Sequence, residues 1–398
     1  MRRCMQTEPV LMRLRRPHVL LIEPRAGADT ELLRLLAAAP DEVARVHWVA
    51  LAPHVGSECT LEAADLAVFD KLASGEAVER ATLERSFGEA RIARLVEHGL
   101  LIGDHREHAE LDRRDRRLRE GGWWSLAALA QVFGRWDGVD VAATEAREGR
   151  RTPARMIEEG GLPPTEAFSV GTARIGLPAP TPGGLGALLA TRRTCRNFDP
   201  AATVRPDQLA TVLHQVFGAQ GSREVAPGAT MLKKHSPSGG GLHPVEAFVL
   251  AQRVDGLEPG LYHYHCVAHA LESVRALPEQ EAAAAARELV AGQAWFAEAP
   301  VLVLLAARFH RSYWKYREHA KAWKVVQLDA GHLSQTLYLA ATELGLGAFV
   351  TAAINDGCAE RLFGLDGVDI GAVAVCGFGR RAEHAVVREF DPLGRVPR

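Results

Sequence analysis

The segment from Lys234 to Pro244 has the sequence Lys-His-Ser-Pro-Ser-Gly-Gly-Gly-Leu-His-Pro, and the other motifs of the chain can be arranged around it. Three consecutive glycines, Gly239 to Gly241, let the backbone approach a flat or charged ligand because no Cβ stands in the way. Pro237 and Pro244 restrict the backbone on either side. A lone run of glycines more often forms a flexible turn, so the ligand-binding interpretation depends on what accompanies it.

The composition excludes several classes of protein. A chain of 398 residues predicts two or three domains. The net charge of −2 gives no bulk attraction to nucleic acid or anionic lipid. The six cysteines are scattered without a C-x-x-C pair, which is typical of a reducing compartment and argues against a zinc site. No apolar run is long enough for a signal sequence or a membrane span. We therefore expect a cytoplasmic protein with no metal and no nucleic-acid or membrane partner.

Residues 1–120 contain the pattern of a winged-helix-like domain. Apolar spacing predicts helices and then a strand, in the order Leu61–Ala73, Ala81–Phe87, Glu89–His98 and Leu100–Ile102. A DNA-binding version would need a basic third helix, whereas acidic neighbours offset Arg91 and Arg94. The segment also resembles the PqqD-like element that binds leader peptides as an added strand. Peptide binding is favoured over DNA binding, and a module that only packs against the rest of the chain is the remaining alternative.

The remainder of the chain divides into a connector and an α+β domain. Residues 121–184 predict a helical connector that ends in a Pro/Gly-rich linker. From residue 185 to 398, helical and strand patterns mix, and Val245–Ala251 fits either a helix start or a buried strand. Predicted helices are Leu185–Thr191, Pro206–Phe217, Ala282–Ala291 and Val326–Leu344, and predicted strands are Gly260–His265, Leu271–Val274, Val301–Ala306 and Val373–Gly379.

Two arginine groups flank the glycine segment. Arg192, Arg193 and Arg196 lie within five residues, with Thr194 between them, and guanidinium groups beside a hydroxyl suit a phosphate and a polyol. Arg380-Arg381 follows the last predicted strand, and the two groups can converge on one phosphate. No G-x-G-x-x-G motif follows a strand and no Walker loop occurs, so neither a Rossmann site nor a nucleoside triphosphate site is indicated.

Five motifs, in this order, carry a family resemblance. They are Arg-Arg-Thr-Cys-Arg from 192, Ser-Pro-Ser-Gly-Gly-Gly-Leu-His-Pro from 236, Leu-Asp-Ala-Gly-His from 328, Glu-Leu-Gly-Leu-Gly from 343 and Gly-Phe-Gly-Arg-Arg from 377. The chain resembles the flavin-dependent nitroreductase superfamily over about residues 185–385. More narrowly it resembles the SagB-type dehydrogenases, the azoline oxidases of thiazole- and oxazole-modified peptides. The resemblance implies an α+β domain with a mostly antiparallel sheet flanked by helices, bound FMN and a homodimer.

The resemblance also implies roles for individual residues. FMN would be held through its phosphate and ribityl chain, through the isoalloxazine ring with backbone groups on both sides, and by a closing arginine. The residues matched to these cofactor-binding roles are Arg192, Arg193, Thr194, Arg196, Pro237, Ser238, Gly239, Gly240, Leu346, Gly347 and Arg380. His243 lies where it would touch the substrate. Backbone donors tune a flavin without adding a titratable group.

The resemblance places the catalytic pair at Lys315-Tyr316, ahead of the Asp-Ala-Gly-His motif. Converting an azoline to an azole removes a hydride and a proton from adjacent carbons. FMN accepts the hydride, a desolvated lysine with a lowered pKa can accept the proton, and a tyrosine can relay it. The alternative is that both residues are simply exposed in a charged segment. His263, His265 and His269 have a metal-like spacing, but their strand pattern argues against a metal site.

These inferences favour an FMN-dependent dehydrogenase that matures a ribosomally synthesised peptide, with O2 reoxidising the flavin. The implied partners are a leader peptide on the N-terminal domain and a cyclodehydratase. One alternative is an NAD(P)H-dependent nitro- or enone-reductase of small molecules, although it would need neither the N-terminal extension nor the Lys-Tyr pair. The other is a non-catalytic scaffold or a winged-helix regulator. Cys195 lies among arginines that favour a thiolate, but no histidine relay points to nucleophilic catalysis.

Overall fold

The computed structural model describes residues 12–26, 46–72, 76–149, 152–163, 175–179, 183–392 and 394. The chain packs into two units. The first comprises Met1–Arg135, Phe309–Lys324 and Gly367–Asp369, and the second comprises Trp136–Arg308, Val325–Asp366 and Ile370–Arg398. Lys315 and Tyr316 therefore pack with the N-terminal unit, although they follow a strand of the second unit in sequence. The predicted Pro/Gly linker falls largely outside the described residues.

The first unit contains two small antiparallel sheets and a set of short helices. One sheet has the order Val78–Glu79, Arg13–Arg15, Ile102–Gly103, and the other has the order Leu21–Ala26, Val46–Leu51, Glu58–Leu61. The helices are Leu66–Lys71, Arg80–Phe87, Glu89–Glu97, Ala109–Glu120, Ser125–Phe133 and Phe309–Lys315. Their apolar faces meet in one core that includes Leu14, Val68, Leu83, Ile92 and Leu95.

Two of the three helices predicted in this unit are confirmed, and one is corrected. The helices predicted from Ala81 and Glu89 are found within one residue of their expected bounds. The predicted helix Leu61–Ala73 is wrong in its first part, because Glu58–Leu61 alternates exposed and buried side chains and pairs as a strand. The predicted strand Leu100–Ile102 begins later, because the N–H groups of Leu100 and Leu101 both donate to the carbonyl of Leu95 and so continue the helix ending.

The second unit is built on one six-stranded sheet in which every neighbouring pair is antiparallel. Its order is Ala270–Ala276, Gly260–His265, Val245–Ala251, Val301–Arg308, Ile370–Gly379, Gly347–Thr351. The predicted α+β class with a mostly antiparallel sheet is confirmed. The ambiguous segment Val245–Ala251 is a strand, since it lies between two other strands and all of its residues except Glu246 are buried.

Helices cover the central strands of this sheet. Val301–Arg308 is buried on both faces, as expected for a nearly continuous apolar run. Leu302 and Leu304 share a core with Leu289 and Phe363. The helices of the unit are Val141–Glu148, Pro153–Gly160, Gly184–Thr191, Pro206–Phe217, Glu279–Leu289, Ala294–Ala297 and Asp356–Phe363, together with most of Ala320–Glu343. Sequence analysis did not predict the helix Asp356–Phe363, the edge strand Gly347–Thr351 or the hairpin formed by Gly221–Ala226 and Ala229–Lys233.

The long helix Ala320–Glu343 begins six residues before its predicted start. It ends at Glu343 and is followed by Gly345, which has a φ of 71°, and the N–H of Leu346 donates to the carbonyl of Ala341 at 2.8 Å. This glycine-terminated ending turns the chain directly into the edge strand Gly347–Thr351. No helix in the described part of the chain combines the length and apolar character that a membrane span requires.

Candidate functional site

The second unit brings the two arginine groups side by side at the edge of the sheet. Thr194 forms a parallel bridge to Ala348 of the edge strand, and Phe198 forms an antiparallel bridge to Arg381. The N–H of Asp199 donates to the carbonyl of Arg380 at 3.0 Å. The segment after Arg192 therefore extends the sheet, and residues about 180 positions apart in sequence become neighbours.

Two arginines of these groups are paired with acidic residues near the C-terminus. Arg193 lies 2.9 Å from Asp391 and 3.2 Å from Glu389. Arg381 also pairs with Glu389, whose side chain is 5% exposed. Sequence analysis counted Arg193 among the cofactor-binding residues, whereas its guanidinium contacts two carboxylates in this structure. These contacts are tertiary and are not visible in the local sequence.

Glu389 and Asn197 together attach residues 386–391 to the arginine motif. Glu389 accepts hydrogen bonds from the N–H of Arg196 at 2.5 Å and from the side chain of Asn197 at 2.9 Å. Burial acts to raise the pKa of Glu389, but these hydrogen bonds and the Arg381 charge outweigh it, and the pKa lies below its usual value. The side-chain oxygen of Asn197 accepts from the N–H groups of Val386 and Val387. Sequence analysis missed both Glu389 and Asn197.

Arg192 and Arg196 differ from Arg193 in their surroundings. Within the described residues, neither guanidinium has an acidic partner, and each lies over an aromatic ring. The Arg192 guanidinium is 5.1 Å from the ring centroid of Tyr338, and that of Arg196 is 5.8 Å from the ring centroid of Phe296. The side chain of Arg380 is 60% exposed, and its contacts to Asp199 and Glu383 are 3.8 Å long. These three arginines therefore retain the capacity to bind an anion.

Tyr338 supports the arginine motif from beneath. Its hydroxyl lies 2.9 Å from the hydroxyl of Thr194 and accepts the N–H of Val350 at 3.1 Å. The tyrosine is 6% exposed, and burial raises the pKa of its hydroxyl. One side chain therefore ties the helix, the edge strand and Thr194 together. Sequence analysis did not single out Tyr338, because a tyrosine on an apolar helix is ordinarily a core residue.

Two separate structural features favour glycine in the triple-glycine loop, Gly239 to Gly241. A Cβ on Gly239 would lie 2.6 Å from the Cβ of Val325, so the loop packs directly on the long helix there. Gly240 and Gly241 have φ values of 68° and 70°, which favour glycine. His243 also has a positive φ of 46°. The absent side chain of Gly239 therefore makes room for Val325, which is a packing reason for glycine at this position beside the predicted approach of a ligand.

Asp329 on the long helix holds the first residues of this loop. Its carboxylate accepts the hydroxyl of Ser238 at 2.5 Å and the N–H of Gly239 at 3.2 Å. Ser238 in turn accepts the N–H of His243 at 2.8 Å. Pro237 contributes its carbonyl, which lies 3.3 Å from Nδ1 of His332. Sequence analysis quoted the Leu-Asp-Ala-Gly-His motif for its resemblance but did not assign Asp329 to the site.

The segment Glu343–Gly347, which carries the Glu-Leu-Gly-Leu-Gly motif, has fewer free backbone N–H groups than the resemblance implied. The N–H of Leu346 is used by the carbonyl of Ala341, so it is not available to a ligand as the sequence interpretation required. A Cβ on Gly347 would lie 2.6 Å from Sγ of Cys195, so glycine is needed here for packing. Burial raises the pKa of the Cys195 thiol to about 11, which corrects the expectation of a thiolate.

Lys315 and Tyr316 lie at the end of the helix Phe309–Lys315 in the first unit. The helix buries Phe309 and Tyr313, which pack with Trp123 at ring-centroid distances of 4.8 Å. The Lys315 side chain is exposed, and its Nζ lies 5.7 Å from the ring centroid of Tyr316. Tyr316 therefore lies beside the ammonium group, but the desolvation of Lys315 that the sequence interpretation required is absent.

The histidines with metal-like spacing do not converge. His263 pairs with Glu272 at 2.8 Å, and Nδ1 of His269 lies 2.7 Å from the hydroxyl of Tyr264. Nδ1 of His265 accepts the N–H of Ala268 at 3.0 Å. In the regions that the structure describes, no group of three or more His, Cys, Asp or Glu side chains is arranged to hold a metal ion.

Comparison with known proteins agrees with this architecture. The model of the Nitroreductase family matches residues 189–380. A putative nitroreductase of Methanocaldococcus jannaschii, MJ1384, is 31% identical over 172 residues, which are 42% of this chain and 78% of that protein. The residues matched by the family model contain the first arginine group, Arg380 of the second group, the glycine loop and the whole six-stranded sheet.

Two further relatives have names that refer to peptide processing. The trifolitoxin-processing protein TfxB of Rhizobium leguminosarum bv. trifolii is 31% identical over 136 residues, 34% of this chain and 36% of that protein. The microcin B17-processing protein McbC of Escherichia coli is 26% identical over 159 residues, 39% of this chain and 57% of that protein. These similarities agree with the narrower resemblance to SagB-type dehydrogenases that the motifs indicated. The chain belongs to the nitroreductase family.

Proposed function

We propose that this protein is an FMN-dependent dehydrogenase that oxidises azoline rings to azoles during the maturation of a ribosomally synthesised peptide. The observation that carries the proposal is the pair Arg192 and Arg196, whose guanidinium groups have no acidic partner in the described chain. They flank Thr194 in a unit that belongs to the nitroreductase family, and two relatives are named for peptide processing.

The residues of the second unit fit FMN. Arg192, Arg196 and Arg380 supply positive charge for a phosphate, and Thr194 supplies a hydroxyl beside them. Pro237, Ser238 and the glycines of the loop supply a backbone surface for the ring. Both regions are attached to the helix Ala320–Glu343, the first through Tyr338 and the second through Asp329. Gly347 contributes by its lack of a side chain, which lets the segment of Cys195 approach the edge strand.

FMN, when bound, supplies two-electron redox chemistry and accepts a hydride. Within this chain we assign acceptance of the substrate proton to Lys315, with Tyr316 beside its ammonium group. Because Lys315 is exposed, the assignment requires that the bound peptide exclude water from it, which would favour the neutral amine. His243, at the end of the glycine loop, is assigned to substrate contact.

The first unit is assigned to recognition of the leader peptide. Arg91 and Arg94 of the third helix both pair with Asp65, which is fully buried, at 3.1 and 2.8 Å. These arginines are therefore engaged within the unit, which disfavours a DNA-reading role. The edge strands of its two small sheets can accept an added strand, which is how an extended peptide binds a sheet. We assign this role to residues 1–120, the connector to 121–184 and FMN binding to 185–398.

The proposal includes a cyclodehydratase partner, because an azoline must be formed before it is oxidised. It also includes a homodimer, which the family resemblance implies. The second candidate function is NAD(P)H-dependent reduction of small nitro or enone compounds. It is supported by the 31% identity to a putative nitroreductase. A non-catalytic scaffold is the third.

Purification with excess FMN followed by visible absorbance tests the cofactor first, and a colourless protein refutes both enzymatic functions. The dehydrogenase assay then combines the yellow protein with an azoline-containing precursor peptide and measures the loss of two hydrogens by mass spectrometry. Lys315→Ala should abolish that loss while FMN stays bound, whereas the neighbouring exposed Lys321→Ala should not. If Lys315→Ala remains as active as the unmodified protein, the base assignment is wrong. Rapid bleaching by NADH with recovery on a nitroarene, and no peptide oxidation, would favour the second function.

A further inference from the structure

We propose that Asp329 is a positioning residue that fixes the shape of the loop Ser238–His243 for cofactor binding. The identity of the cofactor, FMN, rests on the proposed function. The role of Asp329 in holding the loop is independent of that function. Asp329 acts through Ser238 and Gly239 and needs no contact of its own with the ligand.

The first argument is the hydrogen-bond chain that closes the loop. Each carboxylate oxygen of Asp329 accepts one donor, the hydroxyl of Ser238 at 2.5 Å and the N–H of Gly239 at 3.2 Å. The same Ser238 oxygen accepts the N–H of His243 at 2.8 Å. The first and last residues of the loop are therefore joined to each other and to one carboxylate on a rigid helix.

The second argument is backbone strain. Gly240, Gly241 and His243 all have positive φ values, of 68°, 70° and 46°. A positive φ at a non-glycine residue persists where surrounding contacts impose it. The loop also packs on Val325, which lies one helical turn before Asp329 and so faces the same side of the helix. Val325 thus sets how closely the loop approaches the helix, and Asp329 sets its orientation.

The third argument is the burial of the carboxylate. Asp329 is 3% exposed, and burial raises its pKa even though Ser238 and Gly239 donate to it. A buried carboxylate carries a desolvation cost that an apolar residue would avoid. The two donors that it orients, Ser238 and Gly239, offset part of this cost.

The long helix therefore supports both parts of the cofactor site. Asp329 holds the glycine loop, and Tyr338 holds Thr194 and lies beneath Arg192. Nine residues of helix place these two points about 14 Å apart along the axis. Because the helix is continuous between them, the loop and the arginine motif keep a constant separation.

Asp329→Asn tests the role with little change of shape. The amide oxygen can accept only one of the two donors, and the amide NH2 then faces the other donor. The matched control is Thr336→Val on the same helix, which removes the contact between the hydroxyls of Thr336 and Ser236 (2.8 Å) but leaves Asp329 intact. Three quantities are measured for each variant: the thermal midpoint, hydrogen exchange of peptides that cover 238–243 in the FMN-free protein, and the FMN dissociation constant.

For Asp329→Asn we expect faster exchange in 238–243, a thermal midpoint near that of the unmodified protein, and FMN binding weaker by about tenfold, which corresponds to about 1.4 kcal/mol. For Thr336→Val we expect FMN affinity within about twofold, because a two-fold change is only about 0.4 kcal/mol. Unchanged exchange in Asp329→Asn overturns the proposal whatever its FMN affinity. Faster exchange with unchanged affinity, or an equal loss in Thr336→Val, also overturns it. If the unmodified protein binds no FMN, the proposed function fails, while the exchange data still decide whether Asp329 holds the loop.

Discussion

Replacement of Arg193 should destabilise the C-terminal segment and leave FMN binding intact. The Arg193 side chain is 15% exposed and lies between Asp391 and Glu389, which are 16% and 5% exposed. Arg192, its neighbour in sequence, has no acidic partner among the residues described and lies over Tyr338. Two adjacent arginines are therefore predicted to have separable roles, one in attaching residues 386–391 and one in binding phosphate.

The expected loss of stability in the Arg193→Ala variant depends on which partners Glu389 keeps. Removing one partner of a fully buried ion pair costs about 3–5 kcal/mol. Here Glu389 retains Arg381, Asn197 and the N–H of Arg196, so its charge is not left uncompensated. The hydrogen bond that Arg193 donates to the carboxylate of Asp391 at 2.9 Å is also lost; such a bond to a charged group is worth about 1.5–3 kcal/mol, and we expect about 2 kcal/mol. For a unit of this size, that corresponds to a fall of roughly 4–8 °C in the thermal midpoint.

The assay compares Arg193→Ala with Arg192→Ala. Thermal unfolding and hydrogen exchange of residues 386–391 report on the C-terminal segment, and FMN titration reports on the site. Arg192→Ala should weaken FMN binding roughly 10- to 100-fold with little effect on exchange in 386–391. A double-mutant cycle with Glu389→Gln should give a coupling energy for Arg193, because the two side chains are in contact.

The opposite pattern would refute this reasoning. If Arg193→Ala weakened FMN binding as much as Arg192→Ala while its thermal midpoint and exchange stayed unchanged, Arg193 would face the phosphate. The contacts with Glu389 and Asp391 would then contribute nothing to attachment of the segment.

Three further predictions concern the same unit. Gly239→Ala should lower the unfolding free energy by about 1–3 kcal/mol, because its Cβ would lie 2.6 Å from both Cβ and Cγ1 of Val325. Val325→Ala in the same chain removes the Cγ1 contact and should restore part of the loss, and no restoration in urea unfolding would contradict the packing explanation. Tyr338→Phe should lower the unfolding free energy by about 1–3 kcal/mol, because it leaves the N–H of Val350 and the hydroxyl of Thr194 without their partner. An unchanged unfolding free energy in urea would show that the Tyr338 hydroxyl is dispensable. The pKa of Glu389 is lowered in the folded chain, so the stabilisation that its carboxylate gives is present above the ordinary pKa of 4.5 and is lost as the pH falls through the folded pKa. The rate of hydrogen exchange in residues 386–391, relative to the intrinsic rate at each pH, should therefore rise below pH 4.5. Glu389→Gln should remove that pH dependence.

Local patterns in the sequence were sufficient for most helices and for the family. Pro206–Phe217 and Arg80–Phe87 were predicted to within a residue, because apolar spacing and end signals lie inside each segment. The order of the arginine, glycine and Asp-Ala-Gly-His motifs indicated the nitroreductase superfamily, since each motif is a run of adjacent residues. Val245–Ala251 stayed ambiguous because a short apolar run has the same composition in a buried strand and in a buried helix.

Tertiary structure alone separated Arg192 from Arg193 and revealed Asp329, Tyr338 and Glu389. Arg192 and Arg193 are identical side chains in adjacent positions, and only the return of the chain almost 200 residues later gives one of them acidic partners. The sequence by itself determined which residues were available for a phosphate and a flavin ring. The fold decided which of them are occupied by other side chains, because hydrogen bonds and ion pairs form between residues that are close in space and distant in the chain.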